Sequence, residues 1–447
     1  MPSLFIENDV TAQHMMRVPN TSITSPFSNT MSTKLICFLL FIYGASAGFR
    51  VSLIGMLPLN EAMAVVLLPF FFLKDKEIIR RYPDARKLLM CLFLYGALLV
   101  LSDIYNQSVP YDYLRGWANV FMLIVNFVFL LYLFDKSSEY SILFYIAGGI
   151  VSGYFGRRYV ISPEQAKYLA VYMYPIIEPI LLLCLVYLYK ANRRLLVAAI
   201  CIVNGLFWLA NNARSTGGAW FVAGCILLVL VVVPRQVLFD KRVLAISALS
   251  GLAVLYMLYA TYIFAVTELD WGGTHGKEQV QRCRNPYNPA ELLLQGRGDF
   301  VISFKAFLNR PLLGYGSWGH DKDFTYLPQL SEIAGERFDY RAYAETDWIP
   351  THSVLMGAPV WAGVGAGVIW LYIFIMFVRK FNMCLKYYSG PLLPVIAVSM
   401  LVIYWAFFFS PIVQTRSYVP LWMSWLIIFT SDLKHQNSLY PENVPFD

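Results

Sequence analysis

Apolar runs of about 20 residues, long enough to cross a hydrocarbon core of about 30 Å as helices, recur along this chain between short polar turns. About twelve are legible, near 34–54, 59–74, 88–105, 115–134, 141–155, 171–189, 196–210, 219–234, 243–266, 353–378, 391–409 and 417–431. They predict an all-α polytopic membrane protein. The first run is too long for a leader peptide and lacks a small-residue cleavage site, so it reads as a retained helix. One polar interruption stands apart, residues 267–351, and predicts a large external loop carrying short amphipathic helices. The expected organisation is a disordered tail over 1–33, nine spans within 34–266, the loop over 267–351, three spans within 352–431 and a second tail over 432–447.

Composition agrees with a bilayer. Of 447 residues, 58% are hydrophobic and 14% charged, against about 25% charged in a soluble domain. Basic residues then fix the orientation. Arg80, Arg81, Lys87, Arg194, Arg242 and Lys380 crowd one set of short loops, while the alternate set is sparser, with Arg50, Arg115, Arg214 and Arg416 among its few. The positive-inside rule places the basic set and both termini in the cytoplasm and the long loop outside. The net charge of +7 is therefore largely a topology signal, and no nucleic-acid partner is implied. Cys283 is the one cysteine on the external side, so no disulfide framework is expected. No CxxC, HExxH or Asp-rich cluster is present, and no metal or other cofactor is implied.

The long loop holds nine Lys/Arg and twelve Asp/Glu, so any anion it handles must meet particular arginines. After Gly298 and Asp299, Phe300, Val301, Phe304, Phe307 and Leu308 recur at helical spacing, predicting an amphipathic helix that stops before Pro311. Asp299 suits its N-cap. Arg297 then stands beside a helix N-terminus, where free N–H groups favour anions and a guanidinium fork matches phosphate oxygens. The alternative is a surface arginine in a Gly-rich turn. Arg214, after Asn211 and Asn212, faces the same side, either lining a cavity or snorkelling to headgroups. His352 follows Trp348-Ile-Pro-Thr351; with an ordinary pKa of about 6.5 it suits proton uptake from a hydroxyl, or it merely opens a helix. Glu178, between Pro175 and Pro179 inside a span, is an intramembrane acid and thus a candidate by position. Asp347 is a further carboxylate in the loop.

The order of these features resembles the O-antigen ligase and polysaccharide polymerase family. The resemblance rests on Arg214 after a mid-chain span, Arg297 opening an element that ends in Pro311, Gly314 and Gly316, and His352 before a span holding Gly357, Gly363, Gly365 and Gly367. It covers about residues 195–380, and the residue after the histidine, usually Asn in the family, is Ser353 here. The resemblance implies transfer of a glycan from an undecaprenyl-diphosphate carrier to a sugar hydroxyl at the periplasmic face of a bacterial inner membrane, without metal. Arg214 and Arg297 are then expected to bind the diphosphate and His352 to act as general base, with Glu178 and Asp347 as secondary candidates. The acceptor is a second carrier-linked glycan in a polymerase, which also implies a chain-length regulator as partner, or lipid A-core in a ligase. A polysaccharide flippase is the alternative of another class. Flippases carry charge along their spans and often show internal repeats; Glu178 is the deep acid legible here, and no repeat is.

Overall fold

Prolines mark where two of the longest helices begin. Pro83 and Pro110 each occupy the first helical turn, where a missing N–H leaves nothing unsatisfied, and Gln107, at φ 48°, turns the chain between them. The computed structural model describes residues 33–52, 55–156, 169–210, 213–238, 240–269, 277, 280–291, 298–334 and 347–439. Within them the main helices are α1 (Thr33–Ser46), α2 (Leu59–Lys74), α3 (Pro83–Asn106), α4 (Pro110–Asp135), α5 (Ile142–Gly156), α6 (Leu169–Lys190) and α7 (Arg194–Ala210). There follow α8 (Arg214–Val232), α9 (Lys241–Glu268), the loop helices α10 (Gly298–Asn309) and α11 (Tyr326–Ala334), then α12 (Val354–Tyr387), α13 (Leu393–Phe409) and α14 (Thr415–Leu439). Each apolar run overlaps one of these helices. Four are long and apolar enough to cross a membrane: α3, α4, α8 from Ser215 and α12. The architecture is that of an all-α membrane protein.

Three boundaries differ from the hydropathy reading. The first run does not stay helical to residue 54. Its helix ends at Ser46, and the chain turns into an antiparallel hairpin, Arg50–Ser52 with Met56–Pro58. Helix α12 runs 34 residues, about 50 Å at about 1.5 Å per residue, and passes the expected end at 378. Helix α14 continues to Leu439 into the segment expected to be a tail. Polar residues extend a helix as readily as apolar ones, so hydropathy marks the lipid-facing stretch and not the helix end.

Where helices meet most closely, glycine replaces a side chain. A Cβ at Gly205 would strike the backbone of Phe221, which fastens α7 against α8, and one at Gly148 would strike the Phe41 carbonyl, which fastens α5 against α1. Small residues allow such approach between membrane helices. The deepest part of the core is aromatic: Trp370 meets Tyr95 and Phe407 edge-on, joining α12 to α3 and α13. Apolar side chains such as Phe93, Ile104, Phe121 and Val203 face outward, as a lipid surface requires.

The two ends of the bundle are built differently. At one, Arg81 donates to Asp135 and Asp75, Lys380 pairs with Asp84, and Arg235 donates to the Tyr388 carbonyl. The hairpin, the α3–α4 turn, the described part of the long loop and the α13–α14 turn gather at the other. This is the end that the basic-residue count places outside.

Candidate functional site

The loop after α10 is threaded into a break in α12. Pro359 lies inside that helix, and its path fails at Ala362 and Gly363, the latter at φ 76°. The carbonyls freed there accept from the loop: Tyr315 N–H donates to Val360 at 2.8 Å and Gly316 N–H to Trp361 at 3.0 Å. In return, Val364 N–H donates to the Pro311 carbonyl at 2.7 Å. Non-helical backbone at this depth is tolerated because protein groups satisfy it. Gly314 and Gly316 both have positive φ, and a Cβ at Gly316 would strike Ser108 and Asp103. The Pro-Leu-Leu-Gly-Tyr-Gly element therefore locks the loop to the bundle. Asp103 completes the lock: buried, it accepts from Ser317 N–H at 2.6 Å, the Ser317 hydroxyl at 2.7 Å and Trp117 Nε1 at 2.8 Å. Asp321 caps α11, accepting from Tyr326 N–H at 2.7 Å and Leu327 N–H at 3.0 Å.

This scaffold positions His352. Ser353 is the N-cap of α12, its hydroxyl oxygen accepting from Met356 N–H at 3.2 Å, and it also donates to the Phe407 carbonyl of α13. Ser303 of α10 donates to the Pro350 carbonyl at 2.7 Å. Between these two anchors, His352 Nδ1 lies 3.2 Å from Asp299 Oδ2, with the imidazole 44% exposed. Asp299 was expected as the N-cap of α10. It lies instead within the first turn of a helix beginning at Gly298, and its carboxylate meets the histidine. Arg297, the residue before Gly298, lies outside the described residues. Arg214 opens α8, which packs against α13. Arg235, just past the other end of α8, is tied to Tyr388, so Arg214 belongs at the His352 end. Glu178 sits half-buried midway along α6; Pro175 and Pro179 beside it pack against Gly153 and Gly149 of α5.

A second histidine station escaped the sequence reading. His320 Nδ1 lies 2.6 Å from Asp347 Oδ1, and its Nε2 lies 2.9 Å from Asp112 Oδ2. Beside it, the Arg115 guanidinium lies 4.0 Å above the Trp318 ring, with Tyr111 and Trp348 completing an aromatic surround. An arginine so held is stabilised by ring electrons as well as by Asp112, 3.6 Å away. Each ring nitrogen of His320 thus meets a carboxylate, one from α4 and one from the loop. The histidine ties the loop to α4. Asp347, a secondary candidate by sequence, is thereby engaged, and its backbone at φ 46° is fixed by Asp321 N–H donating to its carbonyl. Asp347 was legible in the sequence as a loop carboxylate, but Asp112, the partner on the other ring nitrogen, lies 208 residues from His320. Glu178 is also not the only enclosed acid, since Glu61, Asp103 and Asp112 are all buried near the outer end.

Among the described residues no three metal-ligating side chains converge. No family model matches the chain, and no curated protein matches it either.

Proposed function

We propose that this protein transfers a glycan from an undecaprenyl-diphosphate carrier to a sugar hydroxyl at the periplasmic face of the inner membrane, acting as a polysaccharide polymerase. The observation that carries the reading is the His352–Asp299 pair at the N-terminal end of α10. A carboxylate against Nδ1 fixes the imidazole's tautomer and orientation and offsets the charge that proton uptake creates. In the proposed step the acceptor hydroxyl attacks the anomeric carbon, and the bond from that carbon to the diphosphate oxygen breaks. His352 accepts the hydroxyl proton as the diphosphate leaves on its lipid. Arg214 and Arg297 neutralise the growing charge on the leaving group, a stabilisation best supplied by fixed donors. Joining the glycan to lipid A-core, as a ligase does, uses the same residues with another acceptor.

The test is a pair of variants assayed for carrier binding and for transfer. His352→Asn is expected to lower transfer by roughly 10²–10⁴-fold, the usual worth of a general base, and to leave carrier binding intact. Asp299→Asn should lose less and shift the pH–rate profile, because it disturbs the base without removing it. Transfer at wild-type rate in His352→Asn would end the assignment.

A further inference from the structure

Helix α4 is the most enclosed of the membrane-length helices, with 72% of its apolar window buried, yet it carries a row of polar side chains. Asp112, Asn119 and Asn126 are spaced by seven residues, two helical turns, and so share one face. All three are buried, Asn126 completely. Asp112 is engaged by His320. The asparagines are not engaged: neither the oxygen nor the nitrogen of either amide has a hydrogen-bond partner in the protein. Leaving four such atoms dry inside a bundle is costly. Buried polar groups in this position generally recruit ordered water, which makes two to four hydrogen bonds to them.

The helical wheel identifies what covers the row. Val120 faces Gly96 of α3, Phe129 meets Phe71 of α2 edge-on, and Phe121, on the opposite side, is 53% exposed. The third helix packed on α4 is α14. It occupies the remaining arc, to which Asn119 and Asn126 point. An amide offers donors and acceptors without net charge, so the matching ligand is neutral and hydroxylic. We infer that a file of water occupies the seam between α4 and α14. It enters beneath the Asp112–His320 bridge and reaches Asn126, about 20 Å below Asp112 at about 1.5 Å per residue. This rests on the buried amides alone and is independent of the transfer reaction.

The test uses the full chain in lipid nanodiscs, with single cysteines introduced at Asn119, Asn126 and, as a control on the α3 side, Val120. Each is exposed to a small charged methanethiosulfonate, and the modified peptide is followed by mass spectrometry. Asn119→Cys and Asn126→Cys should react at least tenfold faster than Val120→Cys. Adding Asn119→Leu should slow the reaction at position 126 by a similar factor, since the plug lies above it. Equal reactivity at all three positions would overturn the seam. A second measurement does not depend on labelling: Asn119→Leu/Asn126→Leu should lower the melting temperature if water satisfies the amides. A rise in melting temperature would mean that the amides are dry, and would overturn the inference.

Discussion

The two ends of this bundle, called inner and outer after the basic-residue count, use their charged side chains differently. At the inner end, basic and acidic groups are matched within the protein over short turns: Arg81 with Asp75 and Asp135, Lys136 with the same two acids, Lys380 with Asp84. At the outer end a long loop is held by backbone threading and buried carboxylates, while His352 and Asp299 stay partly open to solvent. The inner end spends its charges on holding helices together. The outer end delegates that task to Asp103, Asp112 and Asp321, which are buried while His352 is 44% exposed. The two histidines show the same division on a smaller scale. His320 is enclosed between Asp112 and Asp347, with the side chain 15% exposed, whereas His352 beside Asp299 is 44% exposed.

Breaking the outer lock should give the largest effect. A Cβ at Gly363 would collide with the Leu312 carbonyl in a backbone conformation that alanine rarely adopts. Gly363→Ala is therefore expected to cost at least about 4 kcal/mol, in the exceptional class for one substitution. The readout is loss of the monodisperse peak in detergent gel filtration. A normally folded Gly363→Ala would mean that the threading is not what holds the loop.

A middle-sized effect is expected at the inner end. Lys380 is buried against Asp84 and Thr430, and removing one partner of a buried pair costs about 3–5 kcal/mol. Since Asp84 is partly exposed, Lys380→Ala should fall near the lower figure in denaturant titrations, and Asp84→Ala added to it should recover part of the loss. No recovery would show that the lysine acts through packing alone.

The smallest effect belongs to Asp75. Burial pushes its carboxyl up, but hydrogen bonds and charge from Arg81 and Lys136 outweigh this and hold it below the ordinary carboxylate range. A carboxyl lowered on folding contributes stability above its unfolded value and loses it as pH falls through the folded one. Asp75→Asn should therefore lower the melting temperature slightly at neutral pH, and the gap to wild type should close on acidification. A gap that does not change with pH would remove the electrostatic account of this end.

Much of the fold was legible because lipid permits few solutions. Every backbone group of a span must be satisfied within the span, so an apolar run near 20 residues is already a helix. That reasoning located the apolar stretch of helices such as α2, α3, α4 and α12, and predicted that α10 ends before Pro311. It failed at Ser46, where the hairpin begins, and at the ends of α12 and α14, where polar residues continue a helix that lipid no longer demands. Of the site, the sequence supplied His352 and the neighbourhood of Asp299, but assigned Asp299 to a cap. Local pattern can propose a cap; whether the carboxylate turns to its own helix or to a histidine 53 positions on depends on how α10 lies against α12.

What the sequence determined by itself was the class of protein, the approximate place of its apolar helices along the chain and the polar segment that gathers at one end. These follow from the local balance of apolar and polar residues against a fixed bilayer thickness. Only the tertiary structure decided which acids are enclosed, that the Pro-Leu-Leu-Gly-Tyr-Gly element is a lock in a broken helix, and that His320 joins Asp112 to Asp347. Those outcomes depend on contacts between residues from 27 to more than 200 apart in the chain, which no periodicity records. The same holds for the row on α4. Asn119 and Asn126 are visible in the sequence as two amides at seven-residue spacing, but only the packing of the bundle encloses them.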